Sequence, residues 1–179
     1  PPPLPGGAAV SASDAAGLEA ALEHLKEVPS YSPDLGAWTT CAFEAAALAR
    51  PGSYDGPARS VGIPTWFYGH EPPNVFCDVI AKFFSNALRE EGLIARARRG
   101  VVVLPGAAGT VQEIFQSVTP LYYAVPGEPL PPLGLGGREH WTQTVPVWPA
   151  VQALGAGRDM AEAIHLVEDL DEAAAIVMA

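Results

Sequence analysis

The sequence is short of basic residues and of long apolar runs, and each shortage excludes a class of protein. Ten Lys and Arg stand against 20 Asp and Glu, which gives a net charge of −10. Such a chain is a poor partner for a nucleic acid polymer or an anionic membrane. No apolar run approaches the ~18 residues of a membrane span, and the first residues lack the layout of a signal peptide. We therefore expect a cytoplasmic protein.

Cysteine is equally scarce, with Cys41 and Cys77 far apart and in no CxxC spacing. We expect two reduced, half-buried thiols rather than a disulfide. A metal site built from His70, Glu71 and Cys77 would match no standard ligand pattern. The sequence therefore predicts neither a metal nor a cofactor.

The length of 179 residues, 49% of them hydrophobic, suits one globular domain. Residues 1–13 are rich in Pro, Gly and Ala, and we expect them to be flexible. Residues 14–179 are predicted to form a single Rossmann-like domain, of which residues 14–60 are the helical amino-terminal part. Asp14 is the expected cap of the first helix.

Strands and helices alternate along the rest of the chain, which indicates an α/β fold with an open parallel sheet flanked by helices. The apolar run Val101–Leu104 is typical of a central strand that is covered on both faces. The predicted strands are 61–68, 101–104, 133–136 and 164–167. The predicted helices are 17–25, 37–49, 75–98, 110–123, 141–154 and 169–178.

Half of the ten basic residues fall between positions 82 and 99. They are Lys82, Arg89, Arg96, Arg98 and Arg99. One interpretation is a binding site for a small anionic ligand, and the other is a solvated helix face.

The turn after the 101–104 strand is the most informative segment, because ligands of parallel sheets collect beyond the carboxyl ends of the strands. Gly106 and Gly109 let backbone amides approach an anion, and Thr110 is expected to open a helix whose dipole favours phosphate. Glu113 has two interpretations. It is either a catalytic residue or the last residue of a T-x-x-E capping box that begins at Thr110.

The loop after the 61–68 strand is expected at the same edge of the sheet. Its polar residues His70, Glu71 and Asn74 are candidates for contacts with the ribose or the base. The alternative is that they satisfy hydrogen bonds of a turn and a helix cap.

The segment from Pro105 to Glu113 resembles the PGGxGTxxE motif of the Lonely Guy (LOG) family, nucleoside 5′-monophosphate phosphoribohydrolases that are often labelled lysine decarboxylases. Arg89 precedes Glu113 by 24 residues, which is similar to the place of that family's arginine. Residues 62–74 also resemble a bacterial subgroup of LOG-like Rossmann proteins. The likeness is clear over residues 61–125.

The resemblance implies hydrolysis of an N-glycosidic bond, with Glu113 and Arg89 as the catalytic pair. Phosphate would be bound by Gly106, Ala107, Ala108, Gly109 and Thr110. The implied ligand is a nucleoside monophosphate or a related phosphorylated sugar, and the implied assembly is a homodimer. Because Lys26 and Lys82 lie in no pyridoxal motif, a pyridoxal-dependent decarboxylase is disfavoured.

Two departures from the family pattern bear on activity. Ala107 and Ala108 stand where the motif has Gly and a variable residue, and alanine adopts positive φ less freely. Residues 1–60 contain neither the family's amino-terminal Gly-Ser phosphate turn nor its GGGxxGLMG-type turn, so the sheet would lack amino-terminal strands. The chain is then a fragment, a processed product or part of a longer protein. A non-catalytic nucleotide sensor or subunit is the alternative to an enzyme.

Overall fold

In a computed structural model, the structure describes residues 12–49, 60–65 and 74–178. The chain divides into two compact units, Pro1–Phe84 and Ser85–Ala179. Each is mixed α/β, with a small parallel sheet and helices. The prediction that residues 1–13 are flexible falls on residues outside the described ranges, except for residues 12 and 13, which form the start of the first helix. Over the described ranges, no helix is both long enough and apolar enough to cross a membrane.

The first unit begins with two helices, α1 (Ala12–Leu25) and α2 (Leu35–Ala49). They run in opposite directions. Gly17, near the start of α1, lies against the backbone of Leu48 near the end of α2, and the His24 carbonyl accepts a hydrogen bond from Cys41. Asp14 lies inside α1 rather than before it, so the predicted cap is wrong. Small buried side chains on the two helices permit this close approach; they include Ala21 on α1 and Ala45 on α2. Cys41 and Cys77 are both free thiols, as the sequence predicted.

A two-stranded parallel sheet completes the first unit. Strand β1 (Val61–Gly62) pairs with β2 (Val79–Ile80), and an isolated bridge joins Thr65 to Phe83. The prediction of one helix over residues 75–98 is therefore wrong in its first half. There, Asp78 accepts a hydrogen bond from the Ser60 amide, and the two β-branched residues of β2 favour extended backbone.

The second unit begins with the part of that predicted helix that does form, α3 (Asn86–Ile94), which Ser85 caps at its amino end. Its sheet has three parallel strands in the order β3 (Val101–Val103), β4 (Leu133–Gly136), β5 (Ile164–Val167). These three strands confirm the sequence-based assignments. The prediction that the 101–104 strand is central is wrong: among the described strands of this sheet, β3 lies at the edge and β4 in the middle.

Helix α4 (Ala108–Tyr122) connects β3 to β4. After β4 come a π-helical turn (His140–Thr144), α5 (Trp148–Gly155) and α6 (Met160–Ala163), where one helix over 141–154 was expected. Helix α7 (Leu170–Met178) follows β5 as predicted. The side chains that are fully buried between sheet and helices include Ile114, Leu133, Leu135, Trp141, Val151 and Met160.

Replacing Leu135 with Ala tests this core. Leu135 is 0% exposed in the middle of the sheet, so Leu135→Ala should lower the free energy of unfolding by about 2–5 kcal/mol. Leu170, which is 69% exposed, is the matched control, and Leu170→Ala should cost well under half of that. Urea denaturation measures both, and equal losses would contradict the assigned core.

His24 provides a second test, in the first unit. Its ring lies 2.9 Å from Glu44 and 3.2 Å from Glu27. Hydrogen bonds, to Glu44 first and Glu27 second, raise the pKa of His24 above its usual 6.5. Because the folded-state pKa is raised, the stabilising effect is complete below the unfolded-state pKa and is lost as pH rises through the folded one.

An NMR titration of the His24 ring should therefore give a pKa above 6.5. Glu44→Gln should move that pKa down more than Glu27→Gln does, since the bond to Glu44 has the larger effect. The reverse order, or a value below 6.5 in the unaltered chain, would show that the ion pairs do not form in solution.

Candidate functional site

The turn between β3 and α4 has the form that anion-binding turns share. Helix α4 begins at Ala108 after Ala107 as N-cap, and the Val111 amide donates to the Ala107 carbonyl at 3.0 Å. Amides in the first turn of a helix have no intrahelical acceptor, and the dipole makes that end positive. The amides of Ala108, Gly109 and Thr110 occupy this first turn.

Because α4 begins two residues earlier than expected, Thr110 lies inside the helix. The N-cap position makes no side-chain hydrogen bond. The capping-box interpretation of Thr110 and Glu113 is therefore wrong. Glu113 lies one turn into the helix, where its carboxylate is available for other partners.

The two glycines of the turn differ in how much space surrounds them. A Cβ on Gly106 would lie 2.1 Å from Thr110 Oγ1 and 2.7 Å from Thr110 Cβ, so close packing requires glycine. A Cβ on Gly109 would meet nothing within 4 Å. In the described ranges positive φ occurs only at glycines outside this turn. Ala107 and Ala108 therefore cause no backbone strain, contrary to expectation.

Arg89 and Glu113, which the sequence singled out from two separate segments, meet in the second unit. Arg89 Nη2 donates to Glu113 Oε1 at 3.0 Å across the α3–α4 contact. The Arg89 side chain is 16% exposed, whereas Glu113 is 39% exposed. The guanidinium is thus held inside, and the carboxylate is accessible to a ligand.

Three further side chains hold this pair, and the sequence analysis missed them. Asn86 Oδ1 accepts from Arg89 Nε at 2.9 Å, and Asn86 Nδ2 donates to Glu90 Oε1. Gln112 Nε2 donates to Glu90 Oε2 at 2.8 Å, and Arg89 Nη2 lies 3.5 Å from Glu90 Oε1. A signal did exist for Glu90, because it falls four residues after Asn86 and four before Ile94, on one helix face.

His140 approaches the turn from the π-helical segment that follows β4. Its Nε2 lies 2.8 Å from the Gly106 carbonyl and 3.3 Å from the Gly106 amide. The ring packs edge-on against Trp141, with centroids 4.5 Å apart. No local pattern connects His140 with a turn 34 residues earlier.

A cavity of about 490 Å³ lies beside β3, within the usual range of small-molecule sites. Its walls are mostly apolar, with Leu93, Ile94 and the β3 valines among them. Glu90, Glu113, Thr110 and Ser117 are the polar residues that line it. The carboxylates of Glu90 and Glu113, and Thr110 in the first turn of α4, therefore border one cavity.

Of the remaining expected site residues, one lies in a described range. His70 and Glu71 lie outside the described residues. Asn74 belongs to the first unit, where its Oδ1 accepts from the Phe76 amide at 2.9 Å, as its turn interpretation predicts. Across the described ranges, no group of three or more His, Cys, Asp and Glu is placed to hold a metal ion.

The basic cluster between positions 82 and 99 does not form one anion site in the second unit. Arg96, Arg98 and Arg99 are exposed, and Arg96 Nη1 donates to the Gly92 carbonyl at the end of α3. Lys82 belongs to the first unit. Arg89 is the member that enters the cluster around Glu113.

No family model matches this chain, and no curated protein matches it significantly. What this site does must therefore be inferred from its geometry and from the residues that line it.

The two glycines of the turn make a matched test of the packing. Gly106→Ala forces a Cβ into Thr110, so it should lower the free energy of unfolding by about 1–3 kcal/mol. Gly109→Ala meets open space inside a helix and should be neutral or stabilising by up to about 1 kcal/mol. Chemical denaturation compares them, and a neutral Gly106→Ala would reject the packed turn.

Proposed function

We propose that this chain is a Rossmann-like member of the LOG family that hydrolyses the N-glycosidic bond of a nucleoside 5′-monophosphate. The products are a free base and ribose 5-phosphate. The observation that carries the proposal is the 3.0 Å contact between Arg89 and Glu113, beside a cavity at the start of α4.

The phosphate of the substrate is assigned to the first turn of α4. Backbone amides of Ala108, Gly109 and Thr110 and the helix dipole supply positive charge there. Arg89 is less suited to this task, because its guanidinium is already bonded to Glu113 and Asn86 and lies close to Glu90. We assign to Arg89 the orientation of Glu113 and contacts to ribose hydroxyls.

Glu113 acts at the anomeric carbon. Cleavage of an N-glycosidic bond passes through an oxocarbenium-like state, and a carboxylate beside it stabilises the positive charge. The C1′–N bond breaks with its electron pair going to the base, which takes a proton from solvent. Water forms the new C1′–O bond and gives a proton to Glu113. The exposed carboxylate is compatible with both contacts.

Glu113→Gln tests this assignment directly. It keeps the shape of the side chain but removes the charge and the proton acceptor, so base release should fall by about 10²- to 10⁴-fold. Nucleotide binding, measured by calorimetry, should persist. Glu128→Gln, at an exposed glutamate after α4, is the control and should leave turnover unchanged.

The assay is release of free base from a panel of purine and pyrimidine nucleoside monophosphates, followed by chromatography. Unaltered turnover in Glu113→Gln would reject the catalytic role. Binding without base release across the whole panel would favour the non-catalytic sensor. That alternative loses its main support from the sequence, because Ala107 and Ala108 fit the turn without strain.

A homodimer also stays a prediction. It was implied by the resemblance to the LOG family, and of the helix predicted over residues 75–98 only α3 forms. Leu88 and Leu93 on this helix are 63% and 41% exposed. Such side chains are compatible with a contact between two copies of the chain.

A further inference from the structure

Glu90 is the charged residue that the second unit buries most completely. It is 2% exposed, and within the described ranges it is the one ionisable acidic or basic residue that is buried. Taking a carboxylate out of water is unfavourable unless hydrogen bonds and an opposite charge compensate. A buried glutamate beside a cavity therefore needs an explanation that the proposed reaction has not yet supplied.

Both carboxylate oxygens of Glu90 are engaged by the protein. Oε1 accepts from Asn86 Nδ2 and lies 3.5 Å from Arg89 Nη2, while Oε2 accepts from Gln112 Nε2 at 2.8 Å. The side-chain amide of Asn86 cannot flip without losing its hydrogen bond to Arg89, because its oxygen accepts from Arg89 Nε at 2.9 Å. Glu90 thus connects α3 to α4 and also lies against the guanidinium.

We propose that Glu90 is a positioning residue for the reaction assigned above, on which this inference rests. It fixes the Arg89 guanidinium so that Nη2 faces Glu113 Oε1. With its oxygens occupied by protein donors, Glu90 acts through Arg89 rather than on the substrate. Its negative charge is essential to this role, because Glu90 Oε1 lies 3.5 Å from the same Nη2 atom that donates to Glu113.

If Glu90 only linked α3 to α4, its hydrogen bonds would suffice and its charge would not matter. The variants must therefore change the charge of Glu90 and its hydrogen bonds separately. Glu90→Gln removes the charge. Its new amide faces the Gln112 amide, so the bond between these residues is kept only if the exposed Gln112 side chain flips to present its oxygen. Glu91→Gln, at the exposed neighbour, is the matched control.

The swap Glu90→Gln with Gln112→Glu is the second variant. It restores the bond between the two helices with donor and acceptor exchanged, and it moves the negative charge to α4. If Glu90 is only a structural link, both the urea midpoint and kcat recover in the swap. If its charge positions Arg89, kcat does not recover.

Two measurements are made on the full chain. The first is the ¹⁵N NMR signal of the Arg89 guanidinium, whose hindered rotation reports how firmly it is held. The second is kcat and KM for base release from the best nucleoside monophosphate. Unfolding midpoints in urea are recorded for every variant.

We expect Glu90→Gln to broaden or shift the Arg89 signals and to lower kcat by about 10- to 100-fold, the usual effect of outer-shell partners. KM should stay within about twofold, since the phosphate site is not altered. Glu91→Gln should match the unaltered chain in both measurements. The swap should recover the urea midpoint but not kcat.

Recovery of kcat in the swap, or unchanged Arg89 signals in Glu90→Gln, would overturn the positioning role. If the unaltered chain releases no base from any nucleotide, the proposed function fails, yet the Arg89 signals still decide whether Glu90 positions the guanidinium. If Glu90→Gln does not fold, the Arg89 signals of the swap decide: native signals overturn the role, and altered ones support it.

Discussion

One guanidinium group contacts two carboxylates, and the candidate site depends on this arrangement. Arg89 contacts Glu113 on α4 and lies near Glu90 on its own helix, while Asn86 binds its Nε atom. A planar fork with several N–H donors can satisfy such partners at once, which a lysine cannot do. The site therefore requires arginine at this position, and the relative placement of α3 and α4 follows from these bonds.

The start of α4 is fixed by a different kind of contact. Thr110 packs on Gly106 so closely that no Cβ fits, and His140, from the segment that follows β4, contacts the same glycine. A π-helical turn supplies this histidine, and such turns often occur at functional sites. Close packing and one side chain remote in sequence together fix where the first-turn amides are presented.

Much of the second unit could be predicted from sequence, because its signals are local. The apolar run at 101–104 and the Gly-rich turn predicted a strand followed by a helix, and the 24-residue spacing selected two residues that make contact. Glu90 was missed because Glu91, its neighbour, is the same residue type, and its partners Asn86 and Gln112 were missed with it. Only the register of the helix distinguishes the buried glutamate from the exposed one. The long helix wrongly predicted over residues 75–98 obscured that register.

The first unit shows where local patterns fail. Val79 and Ile80 lie in a stretch whose apolar positions also suit a helix, and the pairing of β2 with β1 decides the outcome. That pairing is between segments 18 residues apart, with Ser60 bonded to Asp78 beside it. A periodicity taken along one segment contains no information about such a partner.

The charges of the site indicate how an acidic protein could bind an anionic substrate. At physiological ionic strength, interactions between exposed charges fade beyond about 8 Å, so the net charge of −10 matters less than local fields. Arg89 with Glu90 and Glu113 carries one excess negative charge, which suits an oxocarbenium-like ribose and repels phosphate. The amides at the start of α4 have the opposite preference. A ligand with a cationic centre and an anionic end, as a nucleotide has during glycosidic cleavage, would be oriented by both.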